Sequence, residues 1–254
     1  TSLAIAATAT NMKVKGGGAY FMVSRSFGIE AGAAIGIPLY LAQALGIAFY
    51  LAGFAESIHA FFPEVSLTVV GIISLIFLTL LASFSANLAL KAQIFIFVII
   101  LFSLVSFFLG KPVEVAMTSS ESILKSAGFW GVFAVFFPAV TGIEAGISMS
   151  GDLRNSGRAL PLGTISAVVV GLIVYLLIPI FLYRNASMES LQNNPMIMKD
   201  IALFPWVIYL GLWGATLSSG LGALLGAPRT LQALAQDKVL PSFLGKGFGP
   251  QNDP

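Results

Sequence analysis

Pro138, Thr141, Gly142, Glu144 and Gly146 fall within nine residues of one apolar stretch, FWGVFAVFFPAVTGIEAGISMSGDL. A helix carrying that set is expected to break. Proline removes a donor and clashes with the preceding turn, and the glycines loosen the backbone further. If the stretch crosses a membrane, the break frees carbonyls that attract cations and N–H groups that attract anions. Free backbone at membrane depth is tolerated only where it lines a cavity. The competing explanation is a kinked helix with no site. Glu144 favours a site, because a carboxylate at that depth is costly and lines a pathway or has a partner.

Two further sets could bind ions. Ala215, Ser218 and Ser219 are spaced i, i+3, i+4 and share one helix face. One carbonyl and two hydroxyls there offer hard oxygen ligands for a small cation such as Na⁺. The plainer alternatives are serines bonding back to their own helix or packing as small residues against a neighbour. Tyr50 places a phenol oxygen in the apolar run ALGIAFYLAGFAESI. Such an oxygen wants a partner, by default on a neighbouring helix. The glycine-rich KVKGGGAYFMVSRSFG does not fit a phosphate loop, whose lysine follows the glycines after a strand. Its glycines suit a tight turn and close helix approach. A single histidine and no cysteine leave no metal cluster or nucleophile–base pair to read, so an enzyme is not expected.

The elements that must position these residues are apolar helices. The sequence is 57% hydrophobic and 9% charged, with a mean hydropathy of +0.93. Soluble domains carry roughly 25% charged residues. Six apolar segments, 31–58, 65–84, 92–110, 129–150, 163–183 and 201–226, each span about 28 Å or more as helix. An all-α, polytopic transmembrane bundle follows, because backbone in lipid must satisfy its own hydrogen bonds. The apolar segment 1–10 is too short to span and is expected to be the end of a seventh helix. No initiator methionine and a closing polar tail predict a piece of a longer protein. With loop 11–30 on the cytoplasmic side, nine of the 13 Lys and Arg residues fall in cytoplasmic loops, as the positive-inside rule prefers. The net charge of +2 does not suggest nucleic acid.

The motifs KVKGGGAYFMVSRSFG, AFYLAGFAES, FFPAVTGIEAG with SGDL, and GAPRTLQALAQDKVLP resemble those of the cation–chloride cotransporters, of bacterial or archaeal type. These belong to the amino acid–polyamine–organocation superfamily. The resemblance implies a leucine-transporter-like fold of two inverted five-helix repeats, with sites at broken first and sixth helices. Residues 1–254 would form one transmembrane domain: 1–110 the rest of the first repeat, lacking helix 1, and 129–254 the start of the second.

Carried over by residue, Tyr50, Pro138 and Thr141 match the family's potassium site. The backbone of Gly142, Ile143 and Glu144 matches a chloride site, and Ala215, Ser218 and Ser219 match the sodium site. Glu144 departs from the animal cotransporters, which have an aliphatic residue there. A carboxylate about 4 Å from a bound anion repels it by about 4 kcal/mol at an effective dielectric near 20. Amino acid permeases of the superfamily carry Gly-aromatic-Glu at the comparable place.

The expected function is therefore sodium-coupled symport of potassium and/or chloride, without a cofactor. An amino acid permease of the same superfamily is the alternative, and a non-transporting membrane scaffold a further one. The expected partners are the bilayer, small inorganic ions or an amino acid, and a second copy as a homodimer. The expected location is the plasma membrane.

Overall fold

The structure is a computed structural model and describes residues 1–12, 14, 16–84, 86–112, 128–137, 142–150, 153 and 155–247. All its regular elements among these residues are helical. In chain order they are α1 (Ser2–Asn11), α2 (Gly18–Phe27), α3 (Ile29–Phe61), α4 (Leu67–Phe84), α5 (Ala86–Phe108), α6 (Phe129–Phe136), α7 (Ile143–Ser148), α8 (Ser156–Asn185), α9 (Met188–Asn193), α10 (Ile197–Ile201) and α11 (Pro205–Gln236). A short 3₁₀ turn, Ser242–Gly245, follows.

The six apolar segments map onto α3, α4, α5, the pair α6–α7, α8 and α11. Among the described residues four helices are long and apolar enough to cross a membrane: Ile29–Phe61, Lys91–Phe108, Ser156–Asn185 and Pro205–Gln236. Leu67–Ser83 is a shorter apolar helix. The fourth segment is divided. Large apolar side chains such as Ile73, Phe77, Phe95, Val170 and Leu176 face outward, while Gln43, Ser148 and Thr230 are buried. That inversion suits a hydrocarbon surround, and the chain is an integral membrane protein.

Three boundaries differ from the sequence reading. The glycine segment is not all loop: after a turn at Gly17 (φ 91°) and Gly18 (φ 49°) it forms α2. The last long helix continues ten residues beyond Gly226, past Pro228. Beside the gap left by proline, Arg229 Nη1 donates to the Leu225 carbonyl (2.8 Å) and Thr230 Oγ1 approaches that of Gly226 (3.3 Å). Residues 184–200 hold the short helices α9 and α10.

The chain divides into two compact units. The first comprises 1–92, 142–169 and 216–254. It has one core of Leu51, Leu78, Leu221 and Leu225, and another of Ala9, Val14, Met22, Ile147 and Leu160. The second comprises 93–141 and 170–215. Its core gathers Phe107, Ile197, Ile201, Ala202 and Ile208. There Phe107 meets Phe181 edge-on at 4.9 Å, and the Phe204 N–H donates to Ser106 Oγ (3.0 Å). Each unit takes residues from both 1–110 and 129–254.

Candidate ion site at the start of α7

α6 runs to Phe136, with Phe137 still at helical φ and ψ, and α7 starts at Ile143. Gly142 caps the new start with φ 102°, a left-handed conformation that only glycine adopts freely. Pro138 and Thr141 lie outside the described residues. Ile143 packs against the core of Ala9, Val14, Met22, Ile147 and Leu160. That contact fixes the first turn of α7 while its backbone stays available. The Ala145 N–H is held by the Gly142 carbonyl (3.2 Å). The amides of Ile143 and Glu144 have no helical partner, as at any helix start.

The Gly142 N–H donates to Glu144 Oε2 (3.2 Å). Glu144 thus turns its carboxylate back onto the first of the three amides that the resemblance assigns to chloride. A negative group there is favoured by the open N–H groups and the helix dipole. An anion bound there would compete with the half-buried carboxylate for the same donors.

Tyr50 is half-buried on α3, its ring edge-on to Phe49 at 5.8 Å. Its hydroxyl has no hydrogen-bond partner among the described residues, so the expected helix–helix bond is not seen. Its Cβ lies 3.8 Å from where a side chain on Gly220 would begin. The same helix pair closes at Gly53, opposite Thr216.

Ala215, Ser218 and Ser219 lie on α11, which is continuous there. Ala215 and Ser218 are half-buried and Ser219 is exposed. Neither serine hydroxyl bonds back to its helix among the described residues. Their lone pairs remain open, while the Ala215 carbonyl sits within a helical ladder.

A network that sequence reading missed anchors α7. Gln43 Nε2 donates to Ser148 Oγ (3.0 Å), which donates to the Glu144 carbonyl (2.8 Å). Thr230 Oγ1 stands 3.3 Å from Gln43 Oε1. A side chain on Gly226 would stand 3.3 Å from Gln43 Nε2 and 3.4 Å from Ser148 Cβ. Gln43, Ser148 and Thr230 are all buried, so the amide ties α3, α7 and α11 where water does not compete. The one available signal was a glutamine inside an otherwise apolar run.

A second link was also illegible. Tyr20 Oη and Arg25 Nη2 both donate to the Asp237 carboxylate, at 2.8 Å each. The Arg25 guanidinium also lies 5.2 Å from the Phe21 ring centroid. Burial first, and then the Asp237 carboxylate, push the Tyr20 phenol up to about 12. Side chains on Gly17 and Gly18 would meet Ala233 and the backbone of Ile147 at 2.5 and 2.6 Å. The glycine turn is therefore a close-packing device. The Arg25–Asp237 ion pair ties the last turn of α2 to the residue that follows α11.

The sequence model of the amino acid permease family matches residues 1–254. The whole chain aligns with solute carrier family 12 member 2 of Mus musculus at 32% identity over 318 residues, 26% of that protein. It aligns with solute carrier family 12 member 1 of Homo sapiens at 30% over 319 residues, 29% of that protein. A third relative, solute carrier family 12 member 3 of Pseudopleuronectes americanus, is 30% identical over 323 residues, 32% of its length. The chain spans about a quarter to a third of the length of these relatives. Each alignment covers all of this chain, and so does the family match; with its apolar helices, the chain belongs to the amino acid permease family.

Proposed function

We propose that the chain is part of a secondary active transporter that carries potassium and/or chloride with sodium. The observation that carries this reading is the start of α7. Gly142 turns into the left-handed region, and α7 begins at Ile143 with open amides inside an apolar segment. Backbone in that state calls for a ligand at membrane depth. The motif resemblance to cation–chloride cotransporters and the similarity to solute carriers support it. In this reading Gly142, Ile143 and Glu144 hold chloride through their amides. Tyr50, Pro138 and Thr141 hold potassium, and Ala215, Ser218 and Ser219 hold sodium. Residues 1–110 are the remainder of one inverted repeat and 129–254 the start of the second. The protein sits in the plasma membrane with residues 11–30 on the cytoplasmic side, as a homodimer.

A second reading rests on one bond, from the Gly142 amide to the Glu144 carboxylate. A resident carboxylate at the anion position suits a substrate carrying an ammonium group, and the family match is to amino acid permeases. The test is uptake by the full-length protein of rubidium, as a potassium tracer, and of an amino acid panel, each with and without chloride and sodium. Chloride- and sodium-dependent rubidium uptake supports the first reading. Amino acid uptake that ignores chloride establishes the second.

A further inference from the structure

We propose that the groove between α3 and α4 holds one phospholipid with a primary-amine headgroup, a phosphatidylethanolamine. The groove has a volume of about 560 Å³ and lies within the first unit. Its apolar part is lined by Ala44, Leu51 and Ala55 of α3 and by Gly71 and Leu75 of α4. Leu51 and Ala55 are buried and form the floor, while Leu75 is exposed at the rim. Gly71 shows that the two helices stand apart here. A side chain on Gly32 or Gly36 would strike a neighbour within 3 Å, but one on Gly71 would meet no atom within 4 Å. This glycine therefore widens a groove instead of drawing helices together.

The polar lining is confined to one end. α3 and α4 are joined by a short turn and run back along one another, so Glu56 and Thr68 meet where α3 ends and α4 begins. Ala44 and Leu75 lie at the other end. From residue 44 to residue 56 the groove follows about 18 Å of helix, against roughly 15 Å of hydrocarbon in one leaflet. An apolar channel of that length with a polar mouth matches one acyl chain beneath its headgroup. Pockets of this size with a few placed polar groups are those that hold discrete ligands.

Glu56 names the headgroup. It is exposed, it is the one charged residue lining the groove among the described residues, and it makes no ion pair or hydrogen bond with any of them. It sits near the end of α3, close in sequence to His59 and Glu64, which places it at headgroup depth. A carboxylate beside lipid is costly unless a cation meets it. A primary ammonium meets it with a charge-assisted hydrogen bond. A choline headgroup brings the charge without an N–H donor, and a glycerol headgroup leaves the lipid anionic. The Thr68 hydroxyl can donate to the phosphate or ester oxygens of the same lipid. This groove is separate from the start of α7 and does not depend on the transport reading.

The experiment is native mass spectrometry of the purified full-length protein, stripped of lipid in detergent and titrated with dioleoyl phosphatidylethanolamine, phosphatidylcholine or phosphatidylglycerol. In wild type, one phosphatidylethanolamine is expected to bind about tenfold more tightly than either other lipid, the worth of one hydrogen bond between charged groups. Glu56→Gln removes the charge and keeps the size, and is expected to erase the preference. Gly71→Leu fills the groove while improving helix propensity. It should unfold no earlier than wild type, yet bind phosphatidylethanolamine no more tightly than phosphatidylcholine. Equal affinity for the amine and choline lipids in wild type overturns the proposal, which is also the result if another part of the full-length protein or a second copy covers the groove. A preference that survives in either variant overturns it too.

Discussion

Removing the charge of Glu144 tests the ion site most directly. Its carboxylate accepts from the Gly142 amide at 3.2 Å, so an anion held by the neighbouring amides would lie about 4 Å from it. Two like charges at about 4 Å repel by about 4 kcal/mol at an effective dielectric of 20, and by about 1 kcal/mol in bulk water. Glu144 is half-buried, which places the repulsion between those limits. Dividing by about 1.36 kcal/mol per decade gives roughly 5- to 1,000-fold in chloride affinity. Glu144→Gln removes the charge and keeps an acceptor for the Gly142 amide. Glu144→Leu removes both and frees the Gly142 amide. The assay is rubidium uptake by the full-length protein against chloride concentration. If chloride binds there, its KM falls at least about fivefold in Glu144→Gln and falls further in Glu144→Leu. An unchanged chloride KM in both variants refutes the electrostatic reasoning. Amino acid uptake that ignores chloride and is lost in both variants refutes the chloride reading and leaves the fold intact.

Ser218→Ala with Ser219→Ala should remove the sodium dependence of uptake while expression is preserved; unchanged sodium dependence would return the serines to packing. Gln43→Leu removes the side-chain partner that Ser148 and Thr230 share, leaving each only its backbone carbonyl, and should destabilise the protein by about 1–3 kcal/mol in chemical or thermal unfolding, whereas a variant as stable as wild type would show that the network holds nothing. The Tyr20 phenol titrates at about 12 when folded, against 10.0 ordinarily. Above pH 10 the unfolded chain therefore gives up this proton first, and stability falls by at most about 2.7 kcal/mol by pH 12. Tyr20→Phe should flatten that alkaline limb of the unfolding curve, and an identical limb would refute the assignment. Gly18→Ala puts a side chain on a left-handed residue 2.6 Å from the Ile147 backbone, and should abolish folded expression unless α2 and α7 can separate.

The amino acid sequence by itself determined the solvent and the kind of element. Twenty apolar residues in a row can hide their backbone from lipid only as a helix, and that argument needs no partner. It also located the interruption, because the conformational demand at Gly142 and the donor missing at Pro138 belong to those residues whatever surrounds them. The glycines at 17 and 18 were legible as a close turn for the same reason. What touches that turn was decided by the tertiary structure. Ala233 and Ile147 lie more than a hundred residues away along the chain, and no local pattern names them. The same holds for Gln43 with Ser148 and for Tyr20 with Asp237, pairs 105 and 217 residues apart. α11 outlasts Pro228 because Leu225 and Leu234 are packed on either side of it. A local rule that ends helices near proline cannot weigh that packing. Glu144 shows the division within one residue. Its presence at membrane depth was plain in the sequence, but its direction was not. Three-dimensional placement turned the carboxylate onto the Gly142 amide, since a short helix start with open N–H groups is the nearest positive potential its side chain can reach.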